Sequence, residues 1–205
     1  MTAEDNLRGL NYTMLSSLLY KQIELETLQT AIEITEASSS YFDMETKVTD
    51  ELLNAMETAL KGQQISQLQA EFTSTFLLPT GVRPYESVYR GEKFQLKQEP
   101  WLKVKKFYLD CGFKLDPSSR LLEDHVSAEL IFMSHLIEQK EHDLQCEFYR
   151  DHINQWVPQL LVDAKDKTTS CFYTKLIDYA VAFLEVERRK FKLQECNLNI
   201  KEGVN

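Results

Sequence analysis

Proline and glycine, the residues that stop helices, are concentrated in one part of this chain. Four of the five prolines and three of the six glycines lie between Pro79 and Pro117. Proline lacks a backbone N–H and clashes with the preceding turn. Glycine in a helix interior costs about 1 kcal/mol relative to alanine. Outside that window the chain is rich in Leu, Glu, Lys and Gln, all good helix formers. Apolar residues recur there at helical spacing, as in Leu7, Leu10, Met14 and Leu18, and in Ile65, Leu68, Phe72 and Phe76. There is no internal repeat and no strand pair. With 205 residues and 43% hydrophobic content, one real core is affordable. The expected fold is all-α: a single-domain bundle of about seven to nine helices spanning residues 1–205.

Local signals place the helices. Thr2 and Asp5 have capping-box spacing, so the first helix starts there. A second covers Glu24 to Thr35, and a third has Thr49 or Asp50 near its start and Gly62 at its end. Pro79 and Gly81 end the fourth. Pro100 suits the first turn of "PWLKVKKFYLDCGF", which Gly112 closes. Pro158 should kink or restart the helix in "CEFYRDHINQWVPQLLVDAKD", and a threonine should cap the long helix that follows "TTS". A short tail is expected after Asn197. Residues 79–100 read as a long ordered loop, because Tyr85, Val88, Tyr89 and Phe94 call for burial. Ordered loops of this length in helical proteins carry function.

The net charge of −9 and pI near 5.0 disfavour nucleic acid and anionic membrane surfaces, and suit a basic peptide. No stretch of about 18 apolar residues exists to span a membrane. The N-terminus opens acidic, unlike a signal peptide, so a cytoplasmic protein with no stable membrane insertion is expected. Cys111, Cys146, Cys171 and Cys196 are scattered, with neither zinc-knuckle nor dithiol spacing, and fit a reducing compartment.

The stretch "LLEDHVSAELIFMSHLIEQ" puts Asp124, His125 and Glu129 at the margin of an apolar helix face. Asp124 can cap that helix, and Glu129 can pair with an arginine. Alternatively the Asp124–His125 pair could serve a small helical metal-dependent hydrolase. His135, Glu138 and His142 have ligand spacing, but His135 and His142 lie opposite the apolar stripe, and Glu-x-x-His is absent. Gly-x-Ser-x-Gly and the glycine-rich phosphate loops are absent too. The residues themselves leave cap, metal site, acid/base pair and peptide grip open.

Three segments in order resemble the TorD/DmsD/NarJ family of all-helical chaperones for molybdenum oxidoreductases. "AEFTSTFLLPTGVRPYESVY" is similar to its aromatic helix end, Pro/Gly turn and Pro-aromatic-x-Ser-x-aromatic loop, through Pro84, Tyr85, Ser87 and Tyr89. "LEDHVSAELIFMSHL" resembles its Asp-His, Glu-Leu and aromatic-Met pattern, through Asp124, His125, Glu129, Leu130, Phe132 and Met133. "FYRDHINQWVPQLL" resembles its third block, through Phe148, His152, Trp156 and Pro158. One departure is the missing proline before the Asp-His pair in "RLLEDH".

The resemblance implies a cytoplasmic chaperone, not an enzyme, with no cofactor of its own. It would bind the twin-arginine leader and apo-protein of a molybdopterin oxidoreductase, assist cofactor insertion and delay export, as a monomer or helix-exchanged dimer. The residues so implied in leader binding are Pro84, Tyr85, Glu86, Ser87, Tyr89, Asp124, His125, Glu129 and Trp156. A carboxylate at Asp124 or Glu86 would accept the planar fork of an arginine, while Tyr85, Tyr89 and Trp156 would line a groove for the leader's apolar run.

Overall fold

A computed structural model describes residues 2–92 and 94–202, with side chains to Lys192. In chain order the helices are α1 (Ala3–Leu18), α2 (Leu25–Ser39), α3 (Thr46–Lys61), α4 (Ile65–Phe72), α5 (Glu86–Arg90), α6 (Glu99–Asp110), α7 (Val126–Glu138), α8 (His142–Phe148), α9 (Asn154–Lys167) and α10 (Cys171–Glu202). α8 runs into α9 through a π turn, Tyr149–Ile153, so the two form one interrupted helix. Among the described residues there is no strand, only one isolated antiparallel bridge, Tyr85–His125. The expected all-α bundle is what forms.

α1 lies along α7, and α10 packs on α3 and α9. Ser16 Oγ donates to the Ser127 carbonyl at 2.8 Å, tying α1 to the start of α7. An aromatic cluster of Phe107 and Tyr108 from α6, Phe132 from α7 and Phe148 from α8 fills the space behind it. A second tie is buried and ionic. Arg8 of α1 gives Nε and Nη2 to the two oxygens of Glu187 on α10, each at 2.7 Å, and Tyr12 donates to the same carboxylate at 3.0 Å. Both charged side chains are sealed from water.

The Thr2–Asp5 capping box, Gly62 as a helix end, Pro100 in a first turn and Gly112 at positive φ (69°) all occur where expected. Other expectations are corrected. Leu10 is exposed, and the buried face of α1 is widened by Arg8, Asn11, Tyr12 and Leu15. α3 begins a turn before Thr49, which is buried. α2 extends to Ser39. α7 ends at Glu138, one residue short of the quoted stretch, and Lys140 takes φ 60° just beyond it. Helix continues past Pro158 without restarting there, the π turn lying just upstream. Ser170 Oγ, not a threonine, accepts the Tyr173 N–H at the head of α10. Phe94 is 72% exposed rather than buried. α10 carries helix past Asn197 to Glu202, and the last residues of the expected tail lie outside the described residues.

Candidate functional site

Residues 84–87 are held by the head of α7 rather than by their neighbours in the chain. The Val126 N–H donates to the Pro84 carbonyl at 2.9 Å, and the Glu86 N–H to the Asp124 carbonyl at 2.8 Å. This short zipper joins two of the three quoted motifs. It delivers α5, a helix of five residues, too short to hold itself. Asp124 completes the junction: its Oδ2 accepts the Ser87 N–H at 3.0 Å. Asp124 is therefore a helix cap, but for α5 rather than for α7. His125 caps α7 instead, with Nδ1 accepting the Ser127 N–H at 3.1 Å. Ser87 Oγ in turn accepts the Gln98 N–H at 3.2 Å, closing the loop onto α6. Gly91 leaves α5 where an added Cβ would lie 2.4 Å from the Ser87 carbonyl oxygen, so only glycine fits.

Beneath α5 lie three carboxyls, Glu86, Asp124 and Glu129, none with exposed surface. Glu86 Oε2 meets His152 Nδ1 at 2.9 Å, and its Oε1 accepts Arg90. Arg90 Nη1 also donates to the Asp151 carbonyl at 2.7 Å. Glu129 Oε2 accepts the Trp156 indole N–H at 3.0 Å, rather than pairing with an arginine. Burial pushes the Glu129 carboxyl well up, and Glu86 beside it adds to the rise. Asp124 is also raised by burial, the Ser87 hydrogen bond opposing this. Burial alone lowers His125 to about 3, so its ring is neutral.

The outer face is aromatic. Tyr85 stands edge-on to His125 (centroids 5.0 Å), with Tyr20 on the ring at 6.2 Å. Tyr89 covers Trp156 at 5.5 Å, and its hydroxyl, hydrogen-bonded to Asp163, is raised by burial and by that carboxylate. Of the nine residues expected at the site, Tyr85 and Tyr89 are half-buried, while Pro84, Glu86, Ser87, Asp124, His125, Glu129 and Trp156 are buried. All nine fall in one region, joined by the zipper, the Ser87 cap and the Trp156–Glu129 bond. Arg90 and Asp163 were not anticipated. Arg90 had a signal, its i,i+4 spacing from Glu86; Asp163 had none.

Asp124 and His125 do not form an acid/base pair. One is directed at the first turn of α5, the other at the first turn of its own helix. His135 is half-buried against Phe113 and Phe132, not turned wholly to solvent. Among the described residues no helix is long and apolar enough to cross a membrane.

The family profile described as nitrate reductase delta subunit matches residues 43–162, which contain all three motif segments. The chain is 26% identical over 195 residues to a chaperone protein TorD of Vibrio parahaemolyticus, covering 86% of this chain and 90% of that one. It is 28% identical over 127 residues to a perchlorate reductase assembly chaperone protein of Dechloromonas aromatica, covering 54% and 56%. Its fold is similar to a crystal structure from Archaeoglobus fulgidus described as a redox enzyme maturation protein, with a TM-score of 0.56 at 20% identity, over 87% of this chain and 92% of that one.

Proposed function

This chain belongs to the nitrate reductase delta subunit family, the TorD/DmsD/NarJ group, and from that premise we propose that it receives a client's twin-arginine leader on the face built by α5 and the start of α7. It is a maturation chaperone for a molybdenum oxidoreductase, not an enzyme. The client is the apo form of that oxidoreductase, held until its cofactor is inserted, and the chaperone acts in the cytoplasm.

The observation that supports this site is the layering of half-buried tyrosines over buried carboxyls. Tyr85 and Tyr89 present apolar rings with polar tips, suited to a segment that is partly apolar. Behind them Glu86 already accepts one guanidinium, that of Arg90, and low dielectric strengthens such contacts. Asp124 acts in this reading by holding α5 in place, since its own oxygens are sealed from solvent.

A titration with a synthetic leader peptide carrying two adjacent arginines and an apolar run tests the reading. Tyr85→Ala with Tyr89→Ala should weaken binding while the helical spectrum is kept. Unchanged affinity in a folded double variant would remove the leader from this face.

A further inference from the structure

Two arginines in this protein hold buried carboxylates, and they do so differently. Arg8 grips Glu187 with two nitrogens in a fork and has 1% of its side chain exposed. Arg90 reaches Glu86 with Nη1 alone, the same nitrogen that it gives to the Asp151 carbonyl, and has 32% exposed. The first is a structural lock. The second uses one nitrogen and stays partly open to water, whereas a guanidinium matches a carboxylate best with two parallel N–H donors.

Glu86 is itself one of three carboxyls buried together. Asp124 Oδ1, on the carboxyl next to it, is buried without a hydrogen-bond partner among the described residues. Arg90 and His152, the two groups that hold Glu86, also line an open cleft of about 670 Å³ between α6 and the α8–α9 helix. The other cations of that cleft are engaged: Lys103 with Glu99 at 2.9 Å and Lys106 with Asp110 at 2.8 Å. Asp151 is paired with Arg150 at 2.7 Å. Glu147, on the same wall, has no ion-pair partner among the described residues.

We propose that Arg90 is a built-in occupant of a guanidinium site, and that an arginine of the bound partner segment replaces it at Glu86. The entering side chain comes through the cleft and takes the Glu86 carboxylate with its fork, and Arg90 swings into solvent. Glu147 stands ready for a second, adjacent arginine. This rests on the leader-binding reading for the identity of the partner; the guanidinium site itself does not. An occupied site reduces apparent affinity by the fraction of time it is closed, so removing the occupant should tighten binding.

Two measurements test this. The first is rescue. Arg90→Ala should melt below wild type, and millimolar ethylguanidinium should raise its melting temperature without raising that of wild type or of Arg90→Ala with Glu86→Gln. No selective rise would overturn the guanidinium site. The second is peptide titration. Arg90→Gln should bind the two-arginine peptide about tenfold tighter than wild type, and should show no gain for the same peptide with both arginines replaced by glutamine. Equal or weaker binding by Arg90→Gln, or an equal gain for both peptides, would overturn the exchange. If no protein binds either peptide, the leader reading fails and the exchange with it, while the rescue result still decides the site.

Discussion

Asp124 caps a helix that lies 37 residues before it: its Oδ2 accepts the Ser87 N–H at 3.0 Å. A single side chain thereby fixes α5 to the head of α7 and sets the face on which Tyr85 and Tyr89 stand. Asp124→Asn keeps an acceptor oxygen and should leave the fold and most of the stability intact. Asp124→Ala leaves the Ser87 N–H unmet and should cost about 1–3 kcal/mol. Urea unfolding of the two variants checks this; an equal loss in both would mean that the charge, not the hydrogen bond, holds α5.

Tyr85 and Tyr89 should tolerate truncation better than the core. Phe72 is 1% exposed and packs against Phe76 and Tyr173. Phe72→Ala should cost about 3–5 kcal/mol. The half-buried tyrosines should each cost less, because part of each ring already faces water. Chemical denaturation of the three variants side by side provides the comparison. Loss equal to that of Phe72→Ala would make the tyrosines core residues.

Two buried groups should give stability opposite pH slopes. Glu129 takes up its proton more tightly folded than unfolded, its carboxyl being raised by burial and by Glu86. Its contribution is full below the unfolded glutamate range and is lost as pH rises toward the raised folded value. Glu129→Gln keeps an acceptor for Trp156 and should be stabilising relative to wild type, more at pH 8 than at pH 5. A gain that does not grow with pH would show that Glu129 bears no such proton.

His125 behaves in the opposite sense. Its ring is depressed to about 3 by burial, while the unfolded ring titrates near 6.5. Its contribution is full above 6.5 and declines as pH falls toward 3, because only the unfolded chain gains the proton. His125→Asn keeps a good cap for α7 and should lose less stability than wild type between pH 6.5 and 4. Melting curves across that range decide it; parallel losses would assign acid lability to other groups.

Arg8 and Glu187 should be costly to separate and cheap to remove together. Arg8→Met strands a buried carboxylate and should cost about 3–5 kcal/mol. Arg8→Met with Glu187→Leu should recover most of that loss. A double variant as unstable as the single would mean that packing of the arginine stem, not its charge, holds α1 to α10.

Local rules decided whatever depends on neighbours in the chain. Helical spacing marked the bundle, Thr2 and Asp5 marked its first cap, and Gly62, Pro100 and Gly112 marked ends and starts, because each acts within about one turn. The three motif blocks also named residues that the fold brings into one region. Tertiary structure alone decided what each of those residues does. Nothing local distinguishes an Asp124 that caps α7 from one that caps α5, since Ser87 is 37 positions away. The partners of Glu129 and Arg8 lie 27 and 179 positions away. Leu10 and Phe94 carry the same apolar signal as buried residues but sit on the outside. Periodicity reports that a helix has an apolar side; which side chains are covered, and whose donors reach a carboxylate, is settled only when distant elements pack together.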